Sequence, residues 1–367
     1  MSIISAISSK IPARLKSPLR SQTLIYAYSN ARVKAMRTNL LKPSMVEEMV
    51  SLDSITSIAG LLERTTYRED LTHFSLRYSG ADLVELALGR NYGRMAQKLF
   101  KFTPTDGKST LKAILGRWDA YNLKTILLAI SVGKKTEEVE PYLVPAGELG
   151  EYDLKELSEC ANLEEFAKKL RRTSYGQIFS QLLKKHSDEA RQNDFTGLLA
   201  GIDSHYYNSV LQQVSATDSE GAFILSLINT EVDGKNLSTI LRAKKNKLTA
   251  QVVSKLMIQG GTLTEQTLKK LIEAETVEGA VKLLKSKYDL ASALEQYLKD
   301  GALSHFEIEF ERTIARKGVS TLRRSQLSVG AIVGFLYLKE QEVGNIRRIV
   351  RLKDFNLPPE EIKKELV

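Results

Sequence analysis

Four histidines, one cysteine and scattered carboxylate pairs are the side chains on which chemistry in this chain would rest. His73, His186, His205 and His305 stand far apart, none at a metal-ligand spacing from another and none accompanied by a cysteine. Cys160 sits among Leu154, Leu157 and Leu163 at helical spacing, which reads as a buried structural thiol rather than a nucleophile. Being single, it allows no intramolecular disulfide. The segment Thr105–Ser109 ends in Gly-Lys-Ser but lacks the earlier glycine of a phosphate-binding loop, so it reads as a turn before a helix. The glycine-rich dinucleotide fingerprint, the nucleophile elbow and the paired-histidine zinc motif are all missing. Glu47–Glu48 and Glu164–Glu165 have lysines nearby, a pattern of solvated helix faces rather than acid–base work. The expectation is a chain with no catalytic, cofactor or metal site.

The basic residues raise a different possibility. Net charge is +9, with a pI near 9.3, which suits acidic lipid, acidic protein or nucleic acid without selecting among them. Arg312, Arg316, Arg323 and Arg324, then Arg347, Arg348, Arg351 and Lys353, cluster toward the C-terminus. No aromatic interleaving or helix-turn-helix pattern accompanies them, so a solvated face or an acidic protein partner is the better reading than nucleic acid. Tyr28, Tyr67, Tyr175 and Tyr288 could stack on bases. The last three recur at one repeat position, which favours packing or a hinge.

That repeat organises the chain. Shifted by 114 residues, segment 119–170 falls on 233–284 without a gap, and 18 of 52 positions are identical. Chance at roughly 6% per position would give about three. Asp119, Asn122, Leu123, Ile126 and Leu127 fall on Asp233, Asn236, Leu237, Ile240 and Leu241; Gly147 and Leu149 fall on Gly261 and Leu263. A shift of 109 carries Gly221, Glu231, Asn236 and Arg242 onto Gly330, Glu340, Asn345 and Arg351. A shift of 108 carries Glu48, Leu62, Thr65 and Tyr67 onto Glu156, Leu170, Thr173 and Tyr175. One half-unit thus ends at Tyr67, Tyr175 and Tyr288, and the other is centred on Asn122, Asn236 and Asn345. A unit of about 110 residues occurs three times, the size of a small domain and too long for common helical solenoids.

Each unit reads as helical. Leu268, Leu271, Ile272, Val277, Val281 and Leu284 mark an amphipathic face, and Thr262 with Glu265 has the form of a capping box. Asn356–Glu360 predicts a helix stop and a restart with proline in the first turn. Period-two alternation is scarce, so the fold class is all-α. The expected domains are 1–115, 116–229 and 230–367. Three equivalent domains can close into a ring or funnel with a central concave surface, or form an open row. The longest uncharged run near the C-terminus, Ser325–Leu338, is too short to span a bilayer. Met1–Leu19 carries Lys10, Arg14 and Lys16 and lacks the apolar core of a signal peptide, which predicts a cytosolic protein.

The segment Tyr26–Met36, with Ala31, Arg32, Lys34 and Ala35 in order, resembles the N-terminal signature of the C subunits of archaeal A-type and bacterial V-type ATPases. Those proteins are similar to the d subunit of vacuolar ATPases. Glu342, Asn345, Ile346, Arg347 and Ile349 resemble the family's C-terminal motif, and Leu357–Ile362 its Leu-Pro-Pro-Glu finish. The resemblance implies three helical-bundle domains arranged as a pseudo-threefold funnel. It implies a non-catalytic central-stalk socket without cofactors. The socket would join the central shaft subunits (D and F type) to the proteolipid ring at the cytoplasmic face of the membrane, and transmit torque for proton- or sodium-coupled ATP synthesis or hydrolysis. The runner-up is a helical scaffold or adaptor unrelated to rotary motors; a nucleic-acid-binding protein follows, and an enzyme comes last.

Overall fold

The computed structural model describes residues 25–214, 219–324 and 328–367. Lys10, Arg14, Lys16 and the side chain of Arg324 lie outside what is described. Among the described residues are twenty α-helices, one 3-10 turn and no strand. Six helices are long: α5 (Gly80–Phe102), α6 (Thr105–Ser131), α12 (Thr196–Gln213), α13 (Ser219–Lys245), α18 (Ser304–Arg324) and α19 (Val329–Asp354). Short helices fill the intervals. They are α1 to α4 (Ala27–Arg37, Pro43–Ser51, Ile55–Leu62, Arg68–Phe74), then α7 to α11 (Thr136–Val139, Glu151–Ser158, Leu163–Leu170, Gly176–Lys185, Ser187–Arg191). After α13 come α14 to α17 (Ala250–Lys255, Glu265–Glu273, Val277–Lys282, Ala291–Asp300), and after α19 comes α20 (Pro359–Lys364).

The repeat dictates where helices start and stop. Ser54, Asn162 and Thr276 are equivalent positions, and each side chain accepts the backbone N–H three residues on, capping α3, α9 and α16. Such caps contribute about 1 kcal/mol each. The long helices α6, α13 and α19 end at equivalent residues with positive φ, namely Gly133, Lys247 and Asn356. There the N–H of Lys134, Leu248 and Leu357 reaches back to the carbonyl of Ala129, Ala243 and Leu352 at 2.9–3.0 Å, the six-to-one bond of a Schellman ending. Pro359 opens α20 as the sequence predicts. Two expectations fail locally. Thr264, not Thr262, caps α15, because Thr262 is drawn to the Asp233 carboxylate. Thr105–Ser109 is the first turn of α6 rather than a turn before it, since Pro104 already fixes the backbone for helix entry.

The long helices form a closed series of contacts: α5 on α6, α6 on α12, α12 on α13, α13 on α18, α18 on α19, and α19 back on α5. The apolar interior falls into three clusters. One joins residues from the chain's beginning (Met49, Ile58, Leu62, Leu71, Leu88, Leu99) to residues from its end (Ile332, Phe335, Leu336, Ile346, Ile349, Ile362). The second centres on Leu123, Leu127, Phe166, Phe179 and Leu198, the third on Leu237, Leu241, Leu271, Leu284 and Phe306.

A buried asparagine pins each long inner helix to a loop beyond its end. Asn122 donates to the Val144 carbonyl at 2.7 Å and accepts its N–H at 2.8 Å. Asn236 does the same with Ile258, at 2.9 and 2.8 Å, and Asn345 with Val367, at 2.8 and 3.0 Å. An amide side chain is suited because it offers one donor and one acceptor to a single peptide group. Asn236→Ala would leave both Ile258 groups buried without partners, so a loss of about 2–5 kcal/mol in urea-unfolding stability is expected.

Candidate functional site

Three acids sit at one repeat position on the inner helices, and each is held the same way. Asp119 accepts the Glu148 N–H at 2.8 Å, the Leu149 N–H at 2.9 Å and the Tyr175 hydroxyl at 2.8 Å. Asp233 accepts the N–H groups of Thr262 and Leu263 and the hydroxyls of Thr262 and Tyr288. Glu342, in the place of an aspartate, accepts the Leu41 N–H and the Tyr67 hydroxyl, 2.7 Å away. Lys339 adds an ion pair to Glu342 at 2.7 Å, with both side chains nearly inaccessible. The recurrent tyrosine is therefore more than packing: it hydrogen-bonds an acid 56 and 55 residues away in two copies and 275 residues away in the third. Gly147 and Gly261 belong to the same device, since a Cβ on either would lie 2.3 Å from the carboxylate.

Electrostatics follow burial. Desolvation raises the Asp119 carboxyl to about 6, against the lowering effect of its two backbone N–H groups and Tyr175. Burial also raises Tyr67 and Tyr175 and lowers Lys339. Near neutrality Asp119 remains a carboxylate, the form its donors serve.

A second group of equivalent residues meets at one point. Arg117, Glu231 and Glu340 occupy the same repeat position on α6, α13 and α19. Arg117 pairs with Glu231 at 3.0 Å and with Glu340 at 2.8 Å. The Tyr337 hydroxyl accepts from Arg117 at 2.7 Å and donates to Glu231, while Tyr92 donates to Glu340 at 2.8 Å. Burial and the neighbouring Glu231 raise the Glu340 carboxyl, while Arg117 is held charged because the two carboxylates outweigh its desolvation. The point where the inner helices converge is thus filled by the chain's own side chains. An open bore, which a ring of three domains would leave, does not exist at this level.

Beyond this cluster the same helix faces become partly exposed. Positions 11 residues on, about three turns and nearly the same direction, are Leu128, Arg242 and Arg351; Leu128 is 51% exposed and Arg242 exposed. Toward the helix beginnings, Gly107, Gly221 and Gly330 are all buried. The same faces carry Lys124, Lys235, Arg242, Arg347 and Arg351, of which Lys235 and Arg242 are exposed and the others half-buried. Lys124 pairs with Asp203, Arg347 and Arg351 with Glu85, and Arg242 with Glu307. One guanidinium nitrogen each of Arg347 and Arg351 is buried without a hydrogen bond, that of Arg351 lying 3.8 Å from Asp82.

The other singled-out residues scatter. His73 packs on Phe74, His186 meets Glu189, His205 lies beside Tyr175 and His305 meets Asp300. Among the described residues no three His, Cys, Asp or Glu side chains gather to hold a metal. Cys160 is buried, its thiol raised by desolvation. Much of the C-terminal arginine cluster binds the chain itself: Arg312 donates to the Lys364 and Leu366 carbonyls, Arg348 meets Glu311, and Lys353 donates to the Val50 and Leu52 carbonyls. The converging charges were missed in the sequence. The match of Glu231 with Glu340 was visible, but Arg117 in the first copy hid the set.

These features define an all-α repeat protein whose copies are joined by buried polar contacts at equivalent positions. The chain belongs to the ATP synthase (C/AC39) subunit family, whose model matches residues 29–365. It is 30% identical to the A-type ATP synthase C subunit of Methanocaldococcus jannaschii, over 93% of this chain and 86% of that protein. It is 27% identical to the corresponding protein of Thermoplasma acidophilum, over 93% and 98%, and 28% identical to that of Methanosarcina acetivorans, over 100% and 99%. Membership removes the reading of a scaffold unrelated to rotary motors.

Two expectations follow for stability. Asp119 has a folded-state pKa above the usual carboxylate value. Its favourable contribution is therefore full below about pH 4 and lost as pH rises through about 6. The stability difference between wild type and Asp119→Asn, measured in urea, should fall over that window by on the order of 3 kcal/mol. Arg117→Met strands two buried carboxylates and should cost about 3–5 kcal/mol. Glu340→Gln should be much milder, because it also removes the repulsion from Glu231.

Proposed function

We propose that this chain is the central-stalk socket of an A/V-type rotary ATPase: a pseudo-threefold funnel that receives the shaft and rests on the membrane-embedded proteolipid ring. The carrying observation is the convergence of Arg117, Glu231 and Glu340, because three equivalent residues meet at one point only if their helices surround it. In this reading the cluster is the floor of the socket. Its wall is the basic face that opens beyond, and the rod that enters is acidic at its foot.

The sequence divides the units at 1–115, 116–229 and 230–367. The hydrogen bonds favour a redrawn division, in which α6–α12 and α13–α18 each form a module and α19–α20 form the third with residues 42–102. A coupler of torque must resist twisting, and close-packed helices supply that stiffness because their interiors are barely compressible. The chain contributes no catalytic group in this role. It works at the cytoplasmic face of the membrane, peripherally, through its partners; no helix among the described residues is long and apolar enough to cross a bilayer.

The test is direct binding to purified shaft subunits and to a detergent-solubilised proteolipid ring. The expected result is a one-to-one complex with the shaft. Lys235→Glu combined with Arg242→Glu, both exposed, should weaken shaft binding at least tenfold without unfolding the chain. Absence of binding to both shaft and ring would overturn the socket.

A further inference from the structure

The net charge of the chain is concentrated at one end. Residues 1–46 hold eight lysines and arginines and no acid, so they account for eight of the nine units of net positive charge. The described part of that stretch, residues 25–46, holds α1 and the start of α2. Helix α1 lies against α5 and α19. Its buried face is Ser29, Asn30 and Val33: Ser29 donates to the Phe102 carbonyl at 2.6 Å and Asn30 to the Tyr26 carbonyl at 3.0 Å. The opposite face, with Tyr28, Arg32, Lys34 and Arg37, is exposed.

That face meets the half-buried Phe102 at the junction of α5 and α6, where Phe100 is exposed and Lys108 half-buried. The Arg32 guanidinium lies 5.5 Å from the Phe102 ring and 5.9 Å from the Tyr28 ring, and Tyr28 meets Phe102 edge-on. Lys108 lies 5.3 Å from the Phe100 ring. Tyr28 is 62% exposed, Ile25 52% and Phe100 36%. The acid nearest in sequence to this cluster, Asp106, accepts a hydrogen bond from Tyr26.

We propose that this patch is a docking surface for anionic phospholipid. Three features select that occupant. Clustered Lys and Arg are drawn to the negative potential of an anionic leaflet. Amphipathic aromatic rings flanking them suit the depth of lipid headgroups. Aliphatic and aromatic side chains left in water on a basic helix gain most where an apolar layer lies beneath the charge. Duplex nucleic acid would use the charge but offers nothing comparable to Ile25 and Phe100. The patch would help hold the protein flat against a membrane, in addition to any contact with protein partners.

Sedimentation of the full chain with vesicles tests this. Pure phosphatidylcholine vesicles should bind little. Vesicles with a third of phosphatidylglycerol should bind at low salt and release the protein at high salt. Arg32→Glu with Arg37→Glu should lower partitioning at least tenfold, and Tyr28→Ala with Phe100→Ala should lower it several-fold at unchanged charge. Circular dichroism confirms that both variants fold. No preference for anionic vesicles, or a preference that both variants keep, would overturn the proposal. So would the wild type choosing duplex DNA over the vesicles in competition. Shaft and ring binding of the charge variant in detergent should be unchanged, which separates this surface from the socket.

Discussion

Everything in this fold depends on placing a carboxylate inside each inner helix and satisfying it from residues distant in sequence. A buried carboxylate is costly unless its oxygens are hydrogen-bonded. Asp119, Asp233 and Glu342 meet that demand by drawing in a loop N–H and a tyrosine hydroxyl. Each acid therefore fixes three things together: the inner helix, the loop and the segment at the tyrosine, which opens a short helix directly at Tyr67 and Tyr175 and leads to one at Ala291 after Tyr288. The asparagine three residues later ties the same loop by one peptide group. The glycines at 147 and 261 exist because the carboxylate lies where their Cβ would be.

The third copy is the instructive one. In the first two, two consecutive backbone N–H groups face the acid. Around Glu342 only the Leu41 N–H does so, and Lys339 stands in with its ammonium. Glutamate's extra methylene and the lysine's charge compensate for a loop that is not continuous there. Burial works against the lysine, yet its place between Glu342 and the Tyr67 ring, 4.2 Å from the ring centre, keeps it paired. The equivalents of Lys339 are Gly116 and Thr230, neither charged, in copies whose loop is covalently whole.

What the sequence disclosed was periodic and local. Helical faces, the proline restart at Pro359 and the equivalence of Tyr67, Tyr175 and Tyr288 were legible because they recur at fixed offsets. What it hid was chemical rather than positional. A tyrosine at a repeat position looks like packing until its acid is known, and the acid lies about 55 residues away in two copies and 275 in the third. Arg117 concealed the central cluster because charge balance requires the copies to differ. Three glutamates or three arginines meeting at one buried point would repel, so the residue that breaks the repeat is the one that permits the convergence. The capping residue of α15 was misread for a similar reason: Thr262 had the right type, but Asp233 competes for its hydroxyl.

Segments far apart in sequence make, in one unit, the contacts that a single loop makes in the other two. Val144, Ile258 and Val367 all answer their asparagine, and Leu149, Leu263 and Leu41 all answer their acid. In the first two copies four residues join these positions. In the third, the two places are taken by Val367 and Leu41, which are far apart in sequence. Contacts elsewhere are made as though the two were joined: Ile362 is fully buried among residues from both ends, and Lys353 donates to the Val50 and Leu52 carbonyls. The series of helix contacts is closed through this unit, where α19 lies on α5.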